Sequence, residues 1–339
     1  MNSIGVDLHK KIITVCVMDE ALCVLARKTL YCNQPTEITE FLRQFCPFKV
    51  VVEATASYQW FVELVEPLAD AIQLANPKKL RVIAESTKKT DRLDAQTLAE
   101  FRARDMIPQS YMPTPRQRQH RALVRQRQHI RSRMTAVRNK LRRILSDYNA
   151  DRRDLFSSAQ RRQYPKTVAL SDADRFIVDQ LWDDFEHYEK QLRDLWNTLK
   201  QFAKKATHRE KEAREVLKTV PGVGPVTIEV VLSEVGDFDR FRNAKAVTAY
   251  AGLAPVVRQS GGKRAKDLGI SKEGSGLLRW ALVEASWRTI RTSPKWERVF
   301  ERIKKRAGAK RAIVAVARKL LCVVYAMLRT MTPYRIVAA

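Results

Sequence analysis

Cysteine is scarce, with five residues in 339 (Cys16, Cys23, Cys32, Cys46 and Cys322), an odd number with no CxxC pair. That excludes a disulfide framework and a cysteine-based zinc site, and it is the usage of a reduced, cytoplasmic chain. Histidine is as sparse, five scattered residues, and only His9 lies near the acidic positions singled out below, where it is assigned a minor role at most. Long hydrophobic runs are missing too. Asp7 falls where a signal peptide needs apolar residues, and Arg318-Lys319 break the longest late apolar stretch, so no segment is expected to span a bilayer. Negative charge is the last shortage: 37 acidic against 63 basic side chains leave +26 and a pI near 10.1. A surplus of that size points to a polyanionic partner, nucleic acid before membrane.

The surplus is unevenly placed. Residues 1–100 are nearly neutral at −1, residues 101–169 carry +14, residues 170–200 carry −4, and residues 201–339 carry +17. With 45% apolar residues the chain can build real cores, and its length suits two or three domains. The grip on a polyanion is therefore expected outside the first hundred residues.

The opening stretch Ile4-Gly5-Val6-Asp7-Leu8-His9 begins an apolar strand, with Gly5 two residues before the carboxylate of Asp7 and so on the same strand face. Three strands near 3–8, 11–18 and 23–31 form a meander, followed by a helix after Pro35-Thr36 and a strand ending at Glu53. A helix from about Tyr58, a short strand 71–75 and a helix bearing Asp91 and Asp94 complete the region. Residues three apart share a helix face, so Asp91 and Asp94 point the same way; Asp91 is also able to cap its own helix. Three antiparallel strands feeding a mixed sheet with flanking helices is the ribonuclease-H order. Four acids, two on strands and two on one helical turn, form the pattern of a metal site in such a fold.

Residues 114–149 read as one long helix with an apolar seam (Leu123, Ile130, Met134, Val137, Leu141, Ile144, Tyr148) and eleven basic residues against a single acid, Asp147. Ser171 caps a second long helix in which Val178, Leu181, Phe185, Tyr188, Leu192, Leu195, Leu199 and Phe202 alternate three and four apart. That spacing suits a coiled coil, with the basic helix or with another copy of the chain, and equally an ordinary amphipathic core helix. From about residue 207 the chain reads as helical apart from one loop. Val220-Pro221-Gly222-Val223-Gly224-Pro225 joins two helices either as a structural turn or as a helix-hairpin-helix whose bare Gly222 and Gly224 amides meet a phosphate. The loop Arg258-Gln259-Ser260-Gly261-Gly262-Lys263-Arg264-Ala265-Lys266 is either a flexible basic loop or a place where Ser260, flanked by Gly261 and Gly262, approaches a phosphodiester drawn in by Arg258, Lys263, Arg264 and Lys266. It is not a Walker loop, because no Ser or Thr follows the lysine. Trp280, Trp287 and Trp296 are read as core.

Carboxylates that converge repel one another unless cations lie between them, and hard oxygen ligands without Cys or His select Mg2+ or Mn2+ over zinc. Two such ions about 4 Å apart polarise a phosphodiester and stabilise the leaving oxygen.

Taken jointly, these residues resemble the DEDD insertion-sequence transposases of the IS110 family, which includes the Piv DNA invertases. In the first region the resemblance rests on Gly5-Val6-Asp7, Glu53-Ala54-Thr55, Asn76-Pro77 and Lys89-Thr90-Asp91-Arg92-Leu93-Asp94-Ala95 with Leu98-Ala99-Glu100-Phe101. In the last it rests on Pro221-Gly222-Val223-Gly224, Ala251-Gly252-Leu253 with Pro255, Ser260-Gly261, Ile270-Ser271-Lys272 with Gly274, and Leu278-Arg279. Ala56 stands where the family usually has glycine. The resemblance implies an α/β RNase H-like (RuvC-like) domain over 1–113, a basic helix and coiled-coil region over 114–206, and an all-α transposase domain with a helix-hairpin-helix over 207–339. It further implies that Asp7, Glu53, Asp91 and Asp94 bind metal and that Ser260 is the nucleophile of a serine recombinase-like reaction on donor and target DNA. A structured noncoding guide RNA, a dimer or tetramer in which one subunit's acids meet another's serine, and a bacterial cytoplasmic, nucleoid-bound location are also implied. A RuvC-like junction endonuclease, in which metal-bound water attacks and Ser260 is irrelevant, and a non-enzymatic basic nucleic-acid-binding scaffold with a degenerate metal site are the alternatives.

Overall fold

A computed structural model describes residues 1–55, 57–83, 90–157, 159–257, 259–260, 263–264 and 268–335. They form two compact units, 1–112 and 113–339.

The first unit runs β1 (Asn2–Leu8), β2 (Ile12–Met18), β3 (Val24–Tyr31), α1 (Pro35–Arg43), β4 (Phe48–Glu53), α2 (Tyr58–Val65), β5 (Ala71–Ala75), α3 (Pro77–Ile83) and α4 (Asp91–Ala103). The five strands make one mixed sheet in the order β3-β2-β1-β4-β5; β1, β2 and β3 pair antiparallel, while β4 lies parallel to β1 and β5 to β4. The succession of elements, the antiparallel meander and the mixed sheet agree with the sequence reading; the neighbours of β1 and β4 in the sheet and helix α3 come from the structure. Alternation along β1 and β4 explains the two faces. Ile4, Val6, Leu8, Val50 and Val52 enter a large apolar core with α1 and α2 residues Ile38, Leu42, Phe61 and Val65. The opposite face carries small groups under α4, where Cys16 and Met18 meet Ala95 and Ala99, and Val51 meets Leu98. Gly5 lies on this second face. A Cβ there would stand 2.1 Å from the Ala95 carbonyl oxygen and 2.4 Å from the Ala99 nitrogen, so its bareness sets how closely α4 lies on β1.

The second unit opens with α5 (Pro115–Asp147), capped by Thr114, whose hydroxyl accepts from the Gln117 amide. A 3-10 segment, Ala159–Thr167, leads to α6 (Asp172–Lys204), capped by Ser171 as expected. The two helices run antiparallel: Tyr148 donates to Asp174 at one end, and Arg116 stacks over Phe202 at the other. Both apolar stripes deviate from the expected spacing. On α5 Ile130, Met134, Val137 and Leu141 are buried as expected, but Val124 and Leu145 are buried where Leu123 and Ile144 were expected, and Leu123, Ile144 and Tyr148 are only partly covered; on α6 Tyr188, Leu192 and Leu195 are half-buried while Trp182 joins the core. Trp182 packs with Phe156 and Phe185 at the far end of the pair, so the stripe closes on an aromatic cluster rather than on a uniform seam.

Then follow α7 (His208–Lys218), α8 (Pro225–Val235), α9 (Ala244–Tyr250), β6 (Gln259–Ser260), β7 (Lys263–Arg264), α10 (Gly276–Thr292), α11 (Pro294–Ala307) and α12 (Ala309–Thr330). The short hairpin of β6 and β7 corrects the expectation of a wholly irregular loop. A single core joins α7 to α12 and takes in Val124 of α5 and Leu199 of α6, so the long pair is rooted in the helical body. Trp296 is core, but Trp280 is 40% exposed, which corrects its assignment to the interior.

α5 meets α8 through charge as much as through apolar contact. Buried Glu229 accepts from Arg214 Nε at 2.8 Å and Nη2 at 3.0 Å, and its other contact is His120 Nε2 at 2.6 Å. Burial alone would raise the Glu229 carboxyl, but the hydrogen bonds and charges of His120 and Arg214 outweigh it and hold the group down to about 2. Arg125 likewise clamps Glu234 with bonds of 2.8 and 3.0 Å. A carboxyl lowered on folding stabilises the protein above its ordinary value near 4.5 and ceases to do so as pH falls toward 2. Between pH 6 and pH 3 the wild type is therefore expected to lose about 2 kcal/mol more than Glu229→Gln in urea melts. At pH 7 that variant should be less stable by about 3 kcal/mol, since it leaves Arg214 buried without its counter-charge.

Candidate functional site

Register places the first two acids. Val6 lies opposite Val52 across the parallel pair, so Asp7 and Glu53 are the next residues on neighbouring strands. By alternation Asp7 shares the face of Gly5 and Glu53 that of Val51, which is the face covered by α4. The helix supplies the other two. Thr90, not Asp91, is its cap: the Thr90 hydroxyl accepts from the Leu93 amide at 3.3 Å, which leaves both Asp91 and Asp94 free of that duty in the first turn. Their charge also suits the positive end of the helix.

The side chains meet through His9. Its amide donates to the Ile12 carbonyl at 3.0 Å and closes the turn between β1 and β2. Its Nε2 lies 3.1 Å from Asp7 Oδ2 and 3.3 Å from Asp91 Oδ1. One donor atom from each of Asp7, His9 and Asp91 falls within 4.8 Å of the others, a spacing compatible with a shared cation. Sequence reasoning gave His9 little weight, although Asp7-Leu8-His9 carried the signal: at spacing two, just past a strand, both side chains project to one face.

The electrostatics are those of a cluster short of positive charge. Burial pushes the Asp7 carboxyl above the usual range; His9 pulls it back, and Asp91 and Asp94 push it further up. The His9 imidazole is raised in turn, because the attraction of Asp7 and Asp91 outweighs its partial desolvation. Asp7, Asp91 and Asp94 thus sense one another, and a divalent cation would relieve their repulsion.

In the second unit the turn between α7 and α8 separates the roles of its glycines. Gly222 has φ +80°, and a Cβ on it would stand 2.5 Å from the Thr289 nitrogen, so its bareness admits the backbone of α10. The Thr289 hydroxyl donates to the Pro221 carbonyl at 2.7 Å and locks that contact. Gly224 faces open space, with only Arg288 Nη1 near, at 3.7 Å. Lys218, Arg288 and Arg291 rim the groove beside it. Ser260 pairs with Lys263, and Gln259 with Arg264, across the hairpin. Arg258, Gly261, Gly262 and Lys266 lie outside the described residues. Among the described residues no helix is long and apolar enough to cross a membrane.

Two family profiles match the chain: one described as a DEDD transposase of the IS110 type over residues 4–150, and one described as the transposase IS116/IS110/IS902 family over residues 214–301. Among similar proteins, the transposase for insertion sequence element IS1111A of Coxiella burnetii is 26% identical across 98% of this chain and 91% of its own length. A probable family 20 transposase of Pseudomonas aeruginosa is 25% identical over 99% of both chains. The pilin gene-inverting protein of Moraxella bovis is 27% identical over 84% of this chain and 81% of its own.

The close approach at Gly5 yields a direct test. Gly5→Ala should cost at least about 2 kcal/mol in denaturant melts, because the added methyl meets helix backbone that cannot rotate away. Gly269→Ala, where a Cβ meets nothing within 4 Å, should leave stability unchanged and serves as the control.

Proposed function

The chain belongs to the IS110 family of DEDD transposases and is a DNA transposase or recombinase, and on that footing we propose that it cuts and rejoins DNA through Ser260 with the help of divalent metal held by Asp7, Glu53, Asp91 and Asp94. The observation that carries this reading is the meeting of Asp7 and Asp91 at the open end of the sheet, with Asp94 within electrostatic reach. The oxygen-rich donor set fits Mg2+ or Mn2+. Such an ion, when bound, would polarise the phosphodiester and offset charge on the departing oxygen.

The remaining chemistry falls to the chain. The Ser260 hydroxyl attacks phosphorus, a Ser260 Oγ–P bond forms, and the bond from phosphorus to one deoxyribose oxygen breaks. The serine proton passes to a neighbouring base and the freed deoxyribose oxygen takes up a proton. Rejoining is the reverse attack by a deoxyribose hydroxyl from another strand. The backbone pairing of Ser260 with Lys263 fixes the serine in a short antiparallel pair, and the adjacent Arg258, Gly261, Gly262, Arg264 and Lys266 suit a phosphate-binding loop by residue type.

The finer organisation follows the same reading. A RuvC-like domain occupies 1–113, a basic coiled-coil region 114–206 and a helical transposase domain 207–339. The α7–α8 turn acts as a helix-hairpin-helix in which Gly224, open to solvent, meets the DNA backbone while Gly222 serves packing. The +14 of residues 101–169 suits a structured guide RNA that pairs with donor and target DNA. A dimer or tetramer joins the acids of one subunit to the serine of another in the bacterial cytoplasm, on the nucleoid.

Denaturing electrophoresis with labelled DNA tests the reaction. The wild type should give a covalent protein–DNA band that Ser260→Ala abolishes and that Asp7→Asn or Asp94→Asn lowers by roughly 100-fold or more. Undiminished cutting by Ser260→Ala without any adduct would replace this reading by a junction endonuclease. Sequencing of co-purified RNA should return one discrete species; random host fragments would remove the guide.

A further inference from the structure

We propose that His9 is a nitrogen ligand of the cation shared with Asp7 and Asp91, and that it tilts the site toward Mn2+ over Mg2+; the inference rests on the metal-site reading above. One ring nitrogen, Nε2, faces both carboxylates at nearly equal distances of 3.1 and 3.3 Å. Protonated, Nε2 hydrogen-bonds the Asp7 carboxylate; unprotonated, that nitrogen and the two oxygens are spaced to gather around a common ion. The distances themselves agree. Neighbouring ligands on an octahedral ion held at 2.0–2.1 Å stand about 3 Å apart.

The backbone holds the imidazole there. His9 is fixed by its amide bond to Ile12 at the tip of a paired β1–β2 ladder in which Leu8 lies opposite Ile13. The ring therefore reaches the acids from the sheet, while Asp91 reaches them from the start of α4, and the two elements frame the same opening. Its side chain is 48% exposed and Asp91's is 51%, which leaves room for an ion and for waters that complete its shell.

Chemistry then sets the preference. Mg2+ demands hard oxygen donors and keeps its waters, whereas imidazole is a good partner for transition-metal ions. A site of carboxylates alone would distinguish the two ions weakly. Replacing one oxygen by the His9 nitrogen strengthens Mn2+ binding while offering Mg2+ little.

The test uses the full-length protein and the two ions without DNA. Mn2+ binding followed by electron paramagnetic resonance should show nitrogen-14 coupling from a bound imidazole in the wild type, and none in His9→Ala. His9→Ala should weaken Mn2+ binding by about tenfold or more and Mg2+ binding by less than about threefold. Absence of nitrogen coupling in the wild type overturns the role of His9 even if the variant fails to fold. Equal weakening for both ions also overturns it, because the histidine would then be merely holding the carboxylates. If Asp7→Asn binds both ions as tightly as the wild type, the metal site itself is wrong; loss in Asp7→Asn without a nitrogen signal removes only His9.

Discussion

The distance between α4 and β1 governs everything in the first unit. It is set by Gly5, over which the Ala95 carbonyl and the Ala99 amide pass too closely for any side chain. Because the helix lies directly on the strand, its first turn projects beyond the strand end, and Asp91 arrives beside Asp7 and His9. Two features that look unrelated along the chain, a bare position in a strand and a pair of alanines a turn apart in a helix, are one contact. The large apolar core lies under the other face of the sheet and takes no part in this contact.

The second unit uses charge differently. In the first, like charges are brought together and left to be neutralised; in the second, opposite charges are buried as finished pairs, with Glu229 held by Arg214 and His120, and Glu234 by Arg125. Part of the strongly basic character of α5 is thereby consumed in fastening the helix to α8. Arg116, Arg121 and Arg125 point into the protein's own acceptors, so the surplus available to a polyanion comes from the rest of the helix and from the later segments.

The apolar runs were enough to read where the strands lie and that the first three form a meander, because β1, β2 and β4 are buried nearly throughout; which strands neighbour one another across the sheet follows only from tertiary pairing. The long helices were legible from their period, and the second also from its cap Ser171; the Thr114 cap of α5 comes from the structure. Their buried face was less so. Gln117 and His120 are interior on α5, where a hydrophobic template finds nothing, because their partners, the Ser233 carbonyl and Glu229, lie more than a hundred residues away. His9 was underestimated for a related reason: its importance comes from Asp91, which no local pattern connects to it. The sequence leaves Gly222 open between an anion contact and a structural turn; its positive φ and the nearby backbone of α10 give it a packing duty that only tertiary structure reveals.

The distribution of charge bears on how a phosphodiester would reach the acids in the proposed reaction. The first hundred residues are close to neutral overall, yet Asp7, Asp91 and Asp94 concentrate negative charge at one end of the sheet. A DNA phosphate approaching that point alone is repelled, by on the order of 1 kcal/mol per charge pair at 4 Å even in bulk water and by more in a partly buried pocket. Attraction supplied by +17 in residues 201–339 acts on the polymer as a whole and does not cancel a repulsion localised within a few ångströms, since mobile salt screens it beyond about 10 Å. Local neutralisation has to come from within the cluster. In the ion-free site a protonated His9 provides part of it, and a divalent ion, which His9 binds only after giving up the Nε2 proton, would take over that neutralisation between the same carboxylates.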